Sequence, residues 1–209
     1  MMSNCEIKTQ LQAKYREYLQ TEIGRKHLSR AIAIKREWKE SQSHCDATFQ
    51  TDNVKPKLTH LADKMKLLTI VPIGLNNMCH INAEIFCGEN ITSVLGFNIT
   101  SCPCGRMSSY ELHSVNKVGD ELVDFTRDFN EEATKYFLPV ETTLKPSQYI
   151  QLFGKDPIAI ETGKCRCPID WKWVKSYKRT TEAFDRHIRA MEETIVMDHP
   201  DGGAYIMSR

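Results

Sequence analysis

The chain has 209 residues, of which 41% are hydrophobic and 26% charged, and its formal net charge is +1. This composition is that of an ordinary globular protein and excludes a disordered or fibrous chain. Because the net charge is close to zero, no overall field attracts the protein to nucleic acid or to an anionic membrane. The longest apolar run, at 67–75, is far shorter than the roughly 20 residues that cross a bilayer, so we expect no membrane span.

The N-terminal residues are polar and charged, whereas a secretory signal requires an apolar centre. We therefore expect the protein in the cytoplasm or another reducing intracellular compartment. Disulfides are rare there, and the eight cysteines need another explanation.

Apolar residues recur at helical spacing from Ile7 to about Trp38, which predicts an amphipathic helix with a bend at Gly24. A polar stretch without periodicity follows, and then short apolar runs separated by Gly, Asn and Pro indicate strands around one short helix. The chain is thereby predicted to contain a helical extension at 1–42, a linker at 43–66, an α+β core at 67–168, a helix at 169–197 and a tail at 198–209.

The short helix of the core carries a cysteine in its first turn. We expect Asn76 or Asn77 to cap this helix, Cys79 to lie in the first turn and Gly88 to end it after three turns. The unpaired amides and the dipole of a helix N-terminus lower the pKa of a thiol. Cys79 is therefore placed to be a thiolate.

A thiolate nucleophile needs a base, which a third group usually orients. If Gly119 and Asp120 form a two-residue hairpin turn, Val115 faces Asp124 across the two strands. His113 and Asp124 then lie on one face as diagonal neighbours, at a separation that polar side chains can bridge. The alternative is a surface pair of His113 and Asp124 beside a cysteine that only fills space.

The order Cys79, His113, Asp124 resembles that of the papain-like fold. The closest form is the transglutaminase-like core, whose His and Asp strands form a hairpin that ends in an Asp-x-Thr motif, as Asp124-Phe125-Thr126 does. The resemblance covers about residues 66–130. Transglutaminases have an aromatic residue after the histidine, where Ser114 stands here, and this difference affects the type of substrate.

The chain is also similar to a group of uncharacterised microbial proteins with a Cys-His-x-Asn helix and a later His-Ser/Ala-Val strand. Residues 79–82 match the helix and residues 113–115 match the strand. The resemblance implies an α+β, papain-like fold in which a short Cys-bearing helix packs on an antiparallel sheet, with helices at both ends of the chain.

The resemblance also implies a cysteine-dependent hydrolase or acyltransferase that acts on an amide, peptide or isopeptide bond through a thioester. Cys79 is then the nucleophile, His113 the base and Asp124 the group that orients the imidazole. Backbone amides at the helix start would stabilise the oxyanion. Supporting roles there fall to three asparagines: Asn76, Asn77 and Asn82. The expected partner is a protein or a peptide-like substrate.

Two further cysteine pairs share a Cys-x-Cys spacing beside Gly or Pro: Cys102 with Cys104, and Cys165 with Cys167. Four thiolates would complete a tetrahedral structural zinc site, and free thiols or one redox disulfide are the alternatives. Three other residues are spare candidate ligands: His44, Cys45 and Cys87.

A non-catalytic function is the competing hypothesis. A zinc-stabilised interaction module could contact nucleic acid through the segment 172–179, where Lys and Arg alternate with Trp173 and Tyr177. A solvated helix face explains the same segment.

Overall fold

A computed structural model of the chain describes residues 4–42, 61–75, 77–102, 104–126, 136–165, 178–198 and 204–208. Within these ranges the helices are α1 (Asn4–Gln20), α2 (Glu22–Gln42), α3 (Cys79–Ile85), α4 (Pro146–Phe153) and α5 (Thr181–Glu193). The strands are β1 (Lys66–Leu67), β2 (Thr69–Ile70), β3 (Ile91–Ser101), β4 (Met107–Val118), β5 (Glu121–Asp124), β6 (Tyr136–Pro139), β7 (Ile158–Glu161), β8 (Lys178–Arg179), β9 (Thr194–Asp198) and β10 (Ala204–Ser208).

The α+β class is confirmed, and the chain forms two compact units. The first unit combines Met1–Phe49, Leu68–Val94 and Val115–Glu132, and the second combines Gln50–Leu67, Leu95–Ser114 and Ala133–Arg209. Strands β3 and β4 contribute residues to both. None of the described helices is long and apolar enough to cross a bilayer.

In the first unit the predicted long helix is two helices, and the break lies at Thr21 rather than at Gly24. The hydroxyl of Thr21 accepts a hydrogen bond from the backbone N–H of Gly24 at 2.9 Å. This bond satisfies one of the amides that a helix start leaves unpaired, so α2 begins there. The helices pack on a core of six buried residues, which come from α1, α3, β5 and the segments beside them: Leu11, Ile73, Ile85, Phe86, Val123 and Phe125.

The hairpin of β4 and β5 has the predicted two-residue turn. Gly119 has a φ of +61°, and Asp120 does not have a positive φ. A positive φ at only the first of the two turn residues is the pattern of a type II′ turn. The register pairs Asn116 with Val123 and Val118 with Glu121, so continuing it pairs Val115 with Asp124.

The sheet is mixed, whereas an antiparallel sheet was predicted. Strand β2 runs parallel to β5, with Thr69 beside Val123 and Ile70 beside Asp124, and β7 runs parallel to β8. Strands β2 and β8 have two residues each, too few for an alternating pattern to reveal them in the sequence.

In the second unit the strands are hydrogen-bonded in the order β1-β6-β3-β4-β7-β8. Helices α4 and α5 cover the apolar face of these strands, where Phe184 of α5 is fully buried and its ring lies 4.5 Å from that of Tyr110. The hydroxyl of Thr142 adds a 2.8 Å hydrogen bond to the carbonyl oxygen of Met191.

The C-terminal helix is shorter than the predicted 169–197. It begins at Thr181, where the hydroxyl of Thr180 accepts from the N–H of Ala183, and it ends at Glu193. Ile195, which was predicted to lie in this helix, lies in β9, which pairs with β10 in the predicted tail. Trp173 and Tyr177, also predicted in the helix, lie outside the described residues.

Gly96 of β3 allows a close approach to β6. A Cβ atom at this position would lie 2.2 Å from the carbonyl oxygen of Leu138 and 2.6 Å from the ring of Phe137. We predict that Gly96→Ala lowers the free energy of unfolding by about 1–3 kcal/mol, measured by urea denaturation. The control is Gly88→Ala, where a Cβ meets no atom within 4 Å. An equal loss in both variants would contradict the prediction.

Candidate functional site

The predicted nucleophile stands at a helix start. Cys79 is the first residue of α3, as expected, and its side chain is half-buried. The expected asparagine cap is wrong, because the cap position is occupied by Met78, which makes no side-chain capping bond. Asn77 instead takes a left-handed conformation with φ +52° and is exposed, and Asn76 lies outside the described residues.

The helix also ends earlier than predicted. Its last residue is Ile85, with Phe86 at the C-cap, so α3 has two turns and not three. Gly88, predicted to end the helix, lies beyond it in a tight turn, where its N–H donates to the carbonyl oxygen of Ile91 at 2.9 Å. Cys87 lies before that turn, and its thiol donates to the carbonyl oxygen of Ala83.

The side-chain amide of Asn82 connects α3 to Leu75, before the helix, and to Thr126, after β5. Its oxygen accepts from the N–H of Leu75 at 2.8 Å, and its nitrogen donates to the carbonyl oxygen of Leu75 at 2.8 Å. The same nitrogen donates to the hydroxyl of Thr126 at 3.2 Å. Both amide hydrogens are thus committed, so Asn82 supports the site and does not donate to an oxyanion.

Asn116 of β4 gives α3 a second buried anchor. Its amide nitrogen donates to the carbonyl oxygen of Ala83 at 2.9 Å. Sequence reasoning missed this residue, because an asparagine in a predicted strand carries no signal that distinguishes an anchor from a surface group. Its pairing with Val123, an apolar residue, could have suggested that the side chain of Asn116 is buried.

Asp124 closes a hydrogen-bonded path to the helix that carries Cys79. The carboxylate is 0% exposed, and its Oδ1 atom accepts from the N–H of Thr126 at 2.8 Å. The hydroxyl of Thr126 in turn accepts from Asn82, three residues after Cys79 on α3. The Asp-x-Thr end of β5 therefore contacts α3 through side chains.

His113 belongs to the second unit, whereas Cys79 and Asp124 belong to the first. The imidazole is 7% exposed and meets the ring of Phe137 edge-on at 6.3 Å. The alternative of a surface pair is contradicted, because both His113 and Asp124 are buried. The catalytic triad itself stays a prediction.

The second candidate site is a cluster of three cysteines in the second unit. The Sγ atoms of Cys102, Cys104 and Cys165 are separated by 3.2, 3.5 and 3.6 Å. The three thiols are close enough to bind one metal ion. Cys102 is buried, Cys165 half-buried and Cys104 exposed. Cys167, the fourth predicted ligand, lies outside the described residues, as do the spare candidates His44 and Cys45.

The spacing of these sulfurs suits a tetrahedral ion. With metal–sulfur bonds of about 2.3 Å, the edge of a tetrahedron is about 3.8 Å, and the observed separations are slightly shorter. They are far longer than the ~2.05 Å of a disulfide bond. The spacing of the three sulfurs is therefore compatible with one bound metal ion.

Local hydrogen bonds hold the cluster in place. The N–H of Met107 donates to the sulfur of Cys102 at 3.2 Å. The N–H of Cys165 donates to the carboxylate of Glu161 at 3.3 Å, and the guanidinium of Arg106 donates to the carbonyl oxygen of Lys164 at 3.1 Å. The loop after β3 and the segment after β7 are thus joined beside the sulfurs.

Comparisons of the chain with protein-family models, with curated proteins and with solved structures find no match. The function is therefore argued from the geometry of the two sites.

The buried amide of Asn82 yields a test of how α3 is held. We predict that Asn82→Ala lowers the free energy of unfolding by about 3 kcal/mol, since it leaves the N–H and carbonyl of Leu75 buried without partners. Urea denaturation measures this loss. Asn90→Ala, at an exposed turn position, is the control and changes stability by less than about 0.5 kcal/mol. A small loss for Asn82→Ala would contradict the anchoring role.

Proposed function

We propose that the protein is a cysteine-dependent hydrolase or acyltransferase acting on an amide, peptide or isopeptide bond of a protein or peptide-like substrate. The observation that carries this proposal is the buried hydrogen-bonded path from Asp124 through Thr126 and Asn82 to the helix that begins at Cys79. It connects two of the three proposed catalytic elements within one compact unit.

In the proposed reaction the sulfur of Cys79 attacks the carbonyl carbon of the substrate. His113 accepts the thiol proton and then delivers it to the leaving amine, which leaves a thioester on Cys79. Water or a second amine then attacks the thioester carbonyl while His113 removes its proton, and the C–S bond breaks to release Cys79 as the thiolate and the acid or new amide as product. Asp124 keeps the imidazole in the orientation that both proton transfers need.

Backbone N–H groups at the start of α3 are the proposed oxyanion donors, because a helix leaves its first amides without partners. The residues before the helix are also included in this proposal: Asn77, and Asn76 outside the described residues. Asn82 acts on the site indirectly, because its bonds to Leu75 fix the segment that leads into the helix.

The three-cysteine cluster is the proposed ligand set of a structural zinc ion, with Cys167 as the fourth ligand. Zinc suits four thiolates in tetrahedral geometry, and a closed shell of protein ligands is typical of structural sites. The ion would connect the loop after β3 to the segment after β7, which the guanidinium of Arg106 joins through the carbonyl oxygen of Lys164.

A non-catalytic, zinc-stabilised interaction module is the second candidate. The cysteine cluster supports it equally well, because the cluster requires no activity at Cys79. Most of the proposed nucleic-acid segment 172–179 lies outside the described residues. Reactivity of Cys79 distinguishes the two candidates.

We predict that Cys79 reacts faster than the other cysteines with a thiol-directed electrophile at pH 6, because it begins α3 and is the proposed nucleophile. Peptide mapping by mass spectrometry after brief labelling measures the rates. Cys87 is the matched control, since it is also half-buried and lies just beyond the other end of α3. Asp124→Asn should slow the labelling of Cys79 and leave Cys87 unchanged. Equal rates at Cys79 and Cys87 would exclude the enzyme proposal.

We predict that the purified protein holds about one zinc ion per chain, measured by elemental analysis. Cys104→Ser and Cys165→Ser should each reduce the zinc content, whereas Cys87→Ser should retain it, because Cys87 lies outside the cluster. Exchange with cobalt should give the absorption of a tetrahedral thiolate site, which the two cluster variants lose. Full zinc content in both variants would contradict the ligand assignment.

A further inference from the structure

A groove in the first unit combines charged, polar and apolar groups and has no part in the proposed reaction. Helices α1, α2 and α3 enclose about 430 Å³, which is within the usual range of small-molecule sites. Four polar side chains line it: Lys14, Tyr18, His27 and Glu84. Three isoleucines complete the wall, and one of them, Ile23, is 61% exposed.

The groove lies on the side of α3 away from Cys79. Successive residues of an α-helix are rotated by about 100°, so Glu84 lies about 140° and Ile81 about 200° around the axis from Cys79. Asn82 and Phe86 lie within about 60° of Cys79 by the same geometry. A molecule in the groove would therefore contact α3 without reaching the proposed nucleophile.

The groove carries one basic and one acidic side chain, Lys14 and Glu84. The ammonium of Lys14 donates to the carbonyl oxygen of Cys87, three residues after Glu84 on the chain. Both side chains belong to exposed residues and remain accessible to a ligand.

Tyr18 and His27 form a polar pair in the wall of the groove. The hydroxyl of Tyr18 is hydrogen-bonded to the Nδ1 atom of His27, and their rings are stacked at 6.1 Å. Burial, and then the charge of Glu84, raise the pKa of Tyr18. The hydroxyl of Tyr18 therefore stays protonated.

We propose that this groove binds a small zwitterion with an aliphatic side chain, the chemical class of free leucine. The ammonium of the ligand pairs with Glu84, its carboxylate pairs with Lys14, and its side chain packs on the isoleucines. One positive and one negative group favour a zwitterion over a simple anion or cation, since each charge of the ligand then meets an opposite charge. This proposal does not depend on the proposed catalytic activity.

Isothermal titration of the full chain with leucine tests the proposal, with a saturable Kd of about 0.1–1 mM expected for so small a ligand. 4-Methylpentanoate lacks the ammonium and 3-methylbutylamine lacks the carboxylate, and each should bind about fivefold more weakly, as expected for the loss of one exposed ion pair. Glu84→Gln and Lys14→Gln should weaken leucine binding by about the same factor.

Glu89→Gln is the matched control, because Glu89 is an exposed acid of the first unit outside the groove. It should leave the Kd for leucine unchanged. Absence of saturable leucine binding would overturn the proposal. Binding that the two analogues reproduce at equal strength, or that Glu84→Gln and Lys14→Gln leave unaltered, would overturn it equally.

Discussion

The buried amide of Asn82 is the constraint on which the first unit depends. It satisfies the N–H and the carbonyl of Leu75 and reaches the hydroxyl of Thr126. A shift of α3, of the segment before it or of the end of β5 would leave a buried polar group without a partner, which costs more than the bond itself contributes. The position of Cys79 follows from this constraint, because α3 begins directly after the segment that Asn82 holds.

In the second unit the apolar core and the cysteine cluster hold different parts of the chain. Phe184 and Met191 fix α5 through full burial, and Thr142 adds a hydrogen bond to the end of that helix. The cluster instead holds Cys165 beside the loop that contains Cys102. A metal ion would therefore stabilise the two loops, whereas the docking of α5 depends on its aromatic and aliphatic contacts.

Features that depend on local sequence were predictable, and features that depend on tertiary contacts were not. The Gly119-Asp120 turn fixed the hairpin register because a glycine with positive φ selects a two-residue turn. The helix start at Cys79 was also local. Its cap was mispredicted because the bonds of Asn82 to Leu75 hold the segment and place Met78 at that position. The parallel pairing of β2 was equally invisible, since a two-residue strand has no periodicity.

Burial excludes one interpretation of Asp124, that of a surface carboxylate. A carboxylate that only decorated a hairpin would keep its charge in water, since taking it out of solvent is expensive. Asp124 is instead wholly buried and accepts from the N–H of Thr126, whose hydroxyl is held by Asn82. Burying a carboxylate requires hydrogen bonds or an opposite charge in place of water, and the N–H of Thr126 supplies one such bond. The burial of Asp124 therefore excludes a carboxylate that only decorates the hairpin surface, and its bond to Thr126 belongs to the same network that holds α3.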